Sequence, residues 1–364
     1  MTIPIQAVFL VKDQSFVGAT RRSIRALAEQ VGLSDKALSR LDIITTELAT
    51  NLVKHAQGKG EIFVFEGSGS EPMLHLLCID NGIGIKNIDE VLLDGVSTRG
   101  TLGCGLGAIQ RQSDYFEISS ELGKGTVVHC AVSQSSQSSL LNQNVPLNRR
   151  AQVNRNAPAI KISPNDHNSQ TNNLEIMAIS VPRPGEQNCG DGFAAFHTEE
   201  HSSLFVVDGL GHGDEAAKAA ALAVATFSKD PFVDSVTIAQ AIHGQLAGTR
   251  GAAMALIQID YLKNQVSFVG VGNISCRIHT RFASKGCVSS PGIVGSKMGS
   301  LKQYDYDWGP DARLLAYSDG IKSSAQLGEL LAKSAVLAAG EIYRDYNRAT
   351  DDTTVVVAKD RRGK

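Results

Sequence analysis

The sequence predicts a protein of the α/β (α+β) class, built from two domains joined by a linker. Its 364 residues exceed the length of one ordinary core, which forms from about 100–200 residues. From Gln134 to Asn173 the chain is rich in Ser, Asn and Gln and has no apolar periodicity, as is typical of a linker. On both sides of it, apolar strand-like segments accompany helical patterns. We therefore predict domains at residues 1–133 and 173–364 and a flexible linker at 134–172.

The composition narrows the class of protein further. A hydrophobic share of 42%, a charged share of 20% and a net charge of −2 are typical of a globular protein and give no support for nucleic-acid binding. No run of about 18 apolar residues predicts a membrane span, and no signal-type segment opens the sequence. The six cysteines form no CxxC pair, which disfavours a zinc site or a disulfide framework. We expect a cytoplasmic protein with reduced thiols that binds neither nucleic acid nor membrane.

The elements of the first domain follow from local patterns. Apolar residues at helical spacing predict helices over residues 17–31 and 35–56, and Ser34 is placed to cap the second. The segments EIFVFEG and MLHLLCID have strand composition. GAIQRQSDYF predicts a return to helix, and FEISSELGKGTVVHCAV predicts a closing hairpin around residues 123–125.

One predicted helix carries a polar row. Glu47, Asn51 and His55 lie four residues apart, so they share a helix face beside an apolar row. Such residues taken singly are more often solvated surface, but two glycine-rich segments accompany them. Asp80 ends a strand ahead of two glycines, and four more glycines precede the next helix, where backbone N–H groups can approach phosphates. These glycines are Gly82 and Gly84, and Gly100, Gly103, Gly105 and Gly107.

In order and spacing, these three segments resemble the nucleotide-binding boxes of the GHKL (Bergerat) ATPase fold, and residues 19–132 resemble the small serine kinases of bacterial partner-switching systems. The resemblance implies ATP and Mg²⁺ as cofactors, with Asn51 as a Mg²⁺ ligand and Asp80 as the acceptor for the adenine amino group. Glu47 is the candidate catalytic base, or else it orients water or holds the helix. No phospho-accepting helical hairpin precedes this region, which disfavours a sensor histidine kinase. The remaining ATP-binding candidates are Lys54, His55, Gly82, Gly84, Thr98, Gly103, Gly105, Leu106, Gly107 and Thr126.

The pattern of the second domain predicts a mixed β core covered by helices. Six apolar segments have strand composition, and two Ala-rich helices accompany them. The predicted strands are LEIMAIS, LFVVDG, AAMALIQID, VSFVGVGN, ARLLAYSDG and DTTVVVAKD.

Four aspartates of this domain end or follow apolar strands: Asp191, Asp208, Asp319 and Asp351. A turn accounts for any one of them, since Asp-Gly is a common turn pair. Four carboxylates in an apolar core favour divalent cations as partners, because a buried charge without a partner is costly.

As a set, these aspartates resemble the acidic residues of metal-dependent type-2C protein serine/threonine phosphatases, particularly the compact bacterial branch, over residues 173–359. The segments GTRGAAMALI and VGVGNI add to the resemblance. It implies an αββα sandwich and two Mn²⁺ or Mg²⁺ ions that share Asp208, use the Gly209 carbonyl as a further ligand, and activate water against phosphoserine or phosphothreonine. Asp191, Asp319 and Asp351 would complete the ligand set.

Two positions near this set stay open. Asp352 is expected to support the ligands rather than bind metal, and His212 either contacts phosphate or stabilises the turn. The start of this domain shows no counterpart of the arginine-plus-acidic cluster of larger eukaryotic members, so the metals alone are expected to hold phosphate.

Together the two resemblances predict a bifunctional partner-switching protein that acts on STAS-domain regulators. One alternative is a phosphatase fused to a non-catalytic ATP-binding docking domain. A second is a scaffold in which both halves are inactive, which the retained polar residues disfavour.

Overall fold

The computed structural model describes residues 7–67, 71–92, 105–134, 173–280 and 283–362. These residues form two compact units, 7–134 and 173–362. Thr98 and Gly103 lie outside the described residues, as does almost all of the predicted linker, so the linker boundaries stay a prediction.

The N-terminal unit is one antiparallel sheet with helices packed on a face of it. The sheet has the strand order β1-β2-β3-β5-β4. Its elements are β1 (Ala7–Leu10), α1 (Gln14–Val31), α2 (Asp35–His55), β2 (Gly60–Glu66), β3 (Met73–Asp80), α3 (Ile88–Leu92), α4 (Gly105–Gln112), β4 (Tyr115–Glu121) and β5 (Gly125–Ser133). The apolar rows of α1 and α2, including Ile24 and Leu48, form a core with residues such as Val64 and Val128.

Local signals set the boundaries of the two long helices. The Asp13 carboxylate accepts from the Ser15 backbone N–H at 2.8 Å, and Ser34 Oγ accepts from the Ala37 N–H at 3.5 Å, so both helices begin at side-chain caps. Helix α1 ends at Gly32, whose φ of +91° favours glycine. These ends agree with the predicted helices to within three residues.

The helix predicted over residues 107–116 is wrong at its C-terminal end. Helix α4 stops at Gln112, and Tyr115 already belongs to β4. Asp114 lies between them, with its carboxylate paired to Arg40 through two 2.9 Å contacts and its N–H bonded to the Ala131 carbonyl at 2.9 Å. These long-range contacts outweigh the local helical pattern.

The C-terminal unit has two sheets. One has the order β13-β10-β9-β8-β7, with β14 also paired to β10, and the other has the order β12-β11-β15-β16-β6. The elements are β6 (Leu174–Val181), β7 (Asp191–His197), β8 (His201–Gly209), α5 (Asp214–Phe227), α6 (Ser235–Gln245), β9 (Ala252–Asp260), β10 (Gln265–Val271), β11 (Ser275–His279), β12 (Ser284–Gly286), β13 (Ser289–Ser290), β14 (Tyr304–Asp307), β15 (Arg313–Tyr317), a 3₁₀ segment Gly328–Ala332, α7 (Ala335–Tyr346) and β16 (Thr353–Asp360).

The layers stack as helix, sheet, sheet, helix. An apolar core that includes Phe193, Phe268 and Trp308 lies between the two sheets. Helices α5 and α6 pack on the outer face of the first sheet through residues such as Phe227 and Ile242, and α7 packs on β6 and β16 of the second. The predicted fold class is therefore confirmed.

Two details of the predicted second domain are wrong. The unit has a third helix, α6, which begins at the Asp234 cap, where the carboxylate accepts from the Thr237 N–H at 2.9 Å. Asp191 begins strand β7 and Asp351 precedes β16, whereas both were expected to end or follow strands. Within the described residues, no helix is long and apolar enough to span a membrane.

Candidate functional site

The polar row of α2 faces the beginning of α4. A Cβ atom placed on Gly105 would lie 3.1 Å from Glu47 Oε2 and 3.5 Å from Asn51 Oδ1. A side chain at this position would crowd the Glu47 carboxylate, and glycine lets the helix N-terminus approach without that crowding. The positive end of the α4 dipole thus lies beside a carboxylate and an amide oxygen, an environment suited to a phosphate-bound cation.

Asp80 ends β3, and the turn that follows it lies beside the C-terminal end of α2. Its Oδ1 accepts a 2.7 Å hydrogen bond from the Gly82 N–H, which holds the turn that follows β3. A Cβ on Gly82 would come within 2.6 Å of the His55 carbonyl oxygen. The end of α2 and the Asp80 turn are therefore in close contact.

Two further predicted residues support this turn. Gly84 has φ of +72°, and a Cβ there would overlap the Glu121 carbonyl oxygen, so this position requires glycine. Buried Thr126 exchanges a 2.8 Å hydrogen bond with Ser120 Oγ. Ser120 Oγ also accepts from the Ile85 N–H at 2.8 Å, so this hydroxyl and the close approach at Gly84 hold the β4–β5 turn against the segment that follows Asp80.

The other residues predicted to bind the nucleotide include both exposed and buried positions. Lys54 is exposed in the last turn of α2. Gly107 is buried in α4, and Leu106 packs its side chain on the apolar core, so a nucleotide contact from Leu106 would come from its backbone.

In the C-terminal unit, Asp191 and Asp208 lie directly opposite each other on antiparallel strands β7 and β8. Directly opposed side chains on adjacent strands have Cβ atoms about 4.5–5.5 Å apart. The Gly209 N–H donates to the Gly190 carbonyl at 2.9 Å, which holds the strand ends together. This register places two carboxylates side by side at one end of the sheet.

Other aspartates act on this pair electrostatically. Burial raises the pKa of Asp208, and repulsion from the other carboxylates raises it further; these are Asp191, Asp319, Asp351 and Asp352. Burial and repulsion likewise raise the pKa of Asp191, against the hydrogen bond from Ser318. Carboxylates from four separate segments therefore share one environment.

Neutral groups hold these carboxylates in place. Asn273 Nδ2 donates to Asp319 Oδ2 at 2.9 Å. The Asp352 oxygens accept from the backbone N–H groups of Arg183 and Gly190 at 2.8 and 2.9 Å. Asp351 Oδ1 accepts from the Asp352 N–H at 2.9 Å.

The donor set suits divalent cations, although the side chains do not form a closed cage. Among the described residues, no three His, Cys, Asp or Glu side chains are arranged to hold a metal ion. Asp191 Oδ1 is buried and has no hydrogen-bond partner within the same part of the chain. Carboxylates that raise one another's pKa values, with such an oxygen among them, fit hard cations that prefer oxygen ligands.

The glycine-rich loop after Asp208 gives the chain a sharp turn into α5. Gly211 and Gly213 have φ of +87° and +73°, which explains glycine at both positions. A Cβ on Gly209 would lie 2.9 Å from the Ala216 carbonyl carbon. His212 Nδ1 lies 2.8 Å from Glu186 Oε1, a contact that joins this loop to the segment ahead of β7.

Sequence reasoning missed Ser318 and Asn273, the side chains that hold Asp191 and Asp319. Ser318 precedes Asp319 in YSDG, and Asn273 ends VGVGN, but neither residue type in a turn is a distinctive signal. Their role emerges only when strands from distant parts of the chain are paired.

Comparison with known proteins identifies the first domain. Residues 11–131 match the histidine kinase-like ATPase domain family, and through this domain the chain belongs to that family. The serine/threonine-protein kinase RsbT of Bacillus subtilis (strain 168) is 34% identical over 111 residues, which are 30% of this chain and 83% of RsbT. The anti-sigma F factor of Clostridium perfringens (strain SM101 / Type A) is 27% identical over 125 residues, 33% of this chain and 89% of that protein.

A different relative extends the similarity beyond this domain. The phosphoserine phosphatase RsbX of Bacillus subtilis (strain 168) is 20% identical over 164 residues, 44% of this chain and 79% of RsbX. This match is longer than residues 7–134, so it extends beyond the N-terminal unit.

Proposed function

We propose that the C-terminal unit is a metal-dependent protein phosphatase that hydrolyses phosphoserine or phosphothreonine. The observation that carries this proposal is the opposed pair Asp191 and Asp208, whose pKa values are raised by burial and by repulsion from neighbouring aspartates. The similarity to a phosphoserine phosphatase supports the same reaction.

The residues of this site would have two roles, metal ligation and orientation of the ligands. Asp191, Asp208, Asp319 and Asp351, with the Gly209 carbonyl, would hold two Mn²⁺ or Mg²⁺ ions. When bound, these ions would supply an activated water and neutralise the charge of the phosphoryl group. Ser318, Asn273 and the backbone N–H groups on Asp352 orient the carboxylates, as supporting hydrogen bonds do in metal sites.

We propose that the N-terminal domain binds ATP with Mg²⁺ and phosphorylates a partner protein. Asp80 would accept from the adenine amino group, Asn51 would bind Mg²⁺, and Glu47 would act as base. The approach of Gly105 to Glu47 and Asn51 supports a nucleotide phosphate at this position. The similarity to a serine/threonine kinase supports phosphoryl transfer, and by the same resemblance the partners of both domains would be STAS-type regulators in the cytoplasm.

Two assays on the intact chain test the proposal. The first assay measures phosphate release from a phosphorylated STAS-domain protein with Mn²⁺ or Mg²⁺ and with chelator. The second measures transfer from radiolabelled ATP to the unphosphorylated protein. It uses the Asp208→Ala variant, which is expected not to dephosphorylate the labelled product. Metal-dependent release together with labelling supports both activities. Phosphate release and ATP binding without labelling of the partner would support the alternative, a phosphatase fused to a non-catalytic docking domain. No release with either metal would refute the phosphatase.

A further inference from the structure

An arginine lies beside the glycine-rich loop of the carboxylate site. Arg250 immediately precedes Gly251 and strand β9. The Leu210 N–H donates to the Gly251 carbonyl at 3.0 Å, which ties this loop to the start of β9. A Cβ on Gly211 would lie only 2.8 Å from Arg250 Nη1, so the guanidinium rests against the loop backbone two to three residues after Asp208.

The turn that presents Arg250 has a defined geometry. Gly251 has φ of +83°, and its N–H donates to Thr249 Oγ1 at 3.0 Å. The Ala252 N–H and the Val294 carbonyl are joined at 3.0 Å immediately afterwards. The backbone on the C-terminal side of Arg250 is therefore held while the side chain extends outward.

The guanidinium is available to a ligand. Arg250 is exposed, and within the described part of the chain no hydrogen bond or ion pair engages it. Its recorded electrostatic partner is Glu215, and that carboxylate already binds Lys218 Nζ at 2.6 Å. Neighbouring Asp214 accepts from Asn188 Nδ2 at 2.8 Å.

Arg250 also differs from the other cation near the carboxylates. Arg348 lowers the pKa of Asp319 and so acts as a counterion within the cluster. Arg250 instead lies against the backbone of Gly211, three residues after Asp208, and acts electrostatically on the exposed Glu215.

We propose that Arg250 binds the phosphoryl oxygens of the phosphoserine or phosphothreonine substrate. The guanidinium presents N–H donors in a planar fork that matches phosphate bidentately, and the loop that carries Asp208 sets its position. This assignment rests on the proposed phosphatase function. It replaces the expectation that the metals alone hold phosphate, because the arginine comes from the start of β9 instead of the start of the domain.

Steady-state kinetics of the full chain test the role. Arg250→Ala should raise KM for a phosphoserine peptide about tenfold or more, because it removes charge-assisted hydrogen bonds, and it should weaken product inhibition by inorganic phosphate to a similar extent. Arg250→Lys should recover part of both effects. Arg277→Ala is the matched control, since Arg277 lies on β11 and donates to Ser284 Oγ at 3.3 Å. A KM and phosphate inhibition equal to wild type in Arg250→Ala would overturn the proposal.

A second measurement does not depend on turnover. Phenylglyoxal modifies accessible arginines, and peptide mass spectrometry reports modification at Arg250 and Arg277 with Mg²⁺ in the presence and absence of inorganic phosphate. Phosphate should slow modification at Arg250 severalfold and leave Arg277 unchanged. Equal rates at Arg250 would refute the phosphate contact. Phosphate release that fails in the wild-type chain would refute the phosphatase function, while protection of Arg250 would still demonstrate an anion site.

Discussion

Ser318 Oγ donates a 2.6 Å hydrogen bond to Asp191 Oδ2. Ser318 follows β15 in one sheet, and Asp191 begins β7 in the other. The same hydroxyl accepts from the Thr354 N–H at 2.9 Å, and Ser318 is fully buried. One side chain therefore links the two sheets at the carboxylate site and sets the orientation of Asp191.

Replacing this hydroxyl should weaken metal binding. We expect Ser318→Ala to lower Mn²⁺ affinity about 10–100-fold, as is typical for loss of a group that orients a ligand. It should also lower the free energy of unfolding by about 1–3 kcal/mol, because the buried Thr354 N–H loses its acceptor. Calorimetric Mn²⁺ titration and denaturant unfolding measure the two effects. Ser267→Ala, which removes a hydroxyl bound to Asp305, is the control, and wild-type Mn²⁺ affinity in Ser318→Ala would contradict the assignment.

Removing Asp208 should separate function from stability. Asp208→Ala is expected to abolish metal-dependent phosphate release, because the opposed carboxylate pair is lost. Without added metal, the same variant should melt at a higher temperature than wild type at pH 7, because burial and repulsion in the fold raise the pKa of Asp208 and disfavour the ionised form that the unfolded chain adopts at this pH. Phosphate release and scanning calorimetry in chelator test this, with Asp230→Ala on the exposed surface as control. Retained metal-dependent activity would show that Asp208 is only a turn residue and not a metal ligand.

Nucleotide binding should depend on Asn51 in the α2 polar row and on Asp80 at the end of β3. Asp80→Asn replaces one acceptor oxygen by a donor facing the adenine amino group, and Asn51→Ala removes the amide oxygen offered to Mg²⁺. We expect at least about a tenfold loss of ATP affinity for each, with phosphatase activity unchanged. Titration with a fluorescent nucleotide measures the ATP affinity. Asp35→Asn, at the exposed opposite end of α2, should bind as wild type, and full affinity in both site variants would refute the assignment.

The stability of the N-terminal domain should fall in mild acid. His75 and His129 are buried, with their rings joined by a 3.0 Å Nδ1–Nε2 contact. Burial lowers the pKa of His75 to about 3 and that of His129 well below its usual value. Both rings therefore stay neutral in the fold, whereas the unfolded chain takes up protons below the ordinary value of 6.5. The stabilisation from His75 is complete above pH 6.5 and is lost progressively as the pH falls towards 3, by about 2 kcal/mol at pH 5, and His129 adds a loss in the same direction.

The His75→Phe variant tests whether His75 causes this loss of stability in acid. Phenylalanine can stack on Phe65, whose ring centroid lies 5.0 Å from that of His75, and it does not titrate. The variant loses the hydrogen bond to His129, so its stability is lower at pH 7.5, but its loss between pH 7.5 and 5 should be smaller than in wild type by about 2 kcal/mol. Denaturant unfolding of the full chain at both pH values measures the difference. An unchanged pH dependence would exclude His75 as the source.

Cleavage within the predicted linker, near residue 154, should leave both activities intact on saturating free substrate. About forty flexible residues span on the order of 35 Å root-mean-square, and tethering raises the local phosphatase concentration around a docked partner. Cleaved protein should therefore give a higher steady-state phosphorylation of a dilute partner in ATP and Mn²⁺ than intact protein at the same concentration. Equal phosphorylation would show that tethering has no such effect, and loss of either activity would show that the segment belongs to a folded interface.

Local patterns in the sequence determined much of the architecture. The helical row Leu41, Ile44, Leu48 and the Ser34 cap predict α2 because their interactions span at most four residues. The strand that ends in Asp208 and the glycine-rich turn after it are predicted for the same reason. The family resemblance supplied the pairing of these segments with ATP and metal chemistry.

The sequence by itself determined many of the helices and strands, although not α6, and which carboxylates are candidates, since periodicity, capping and glycine placement act over a few neighbouring residues. Only the tertiary structure decided that Asp191 lies opposite Asp208, that Ser318 reaches Asp191 across 127 positions, and that Arg250 lies against Gly211. Strand order and register bring these residues together. A shift of one residue would turn every side chain of a strand to the other face, so the contacts depend on the packing of the whole domain and are not encoded in any short segment.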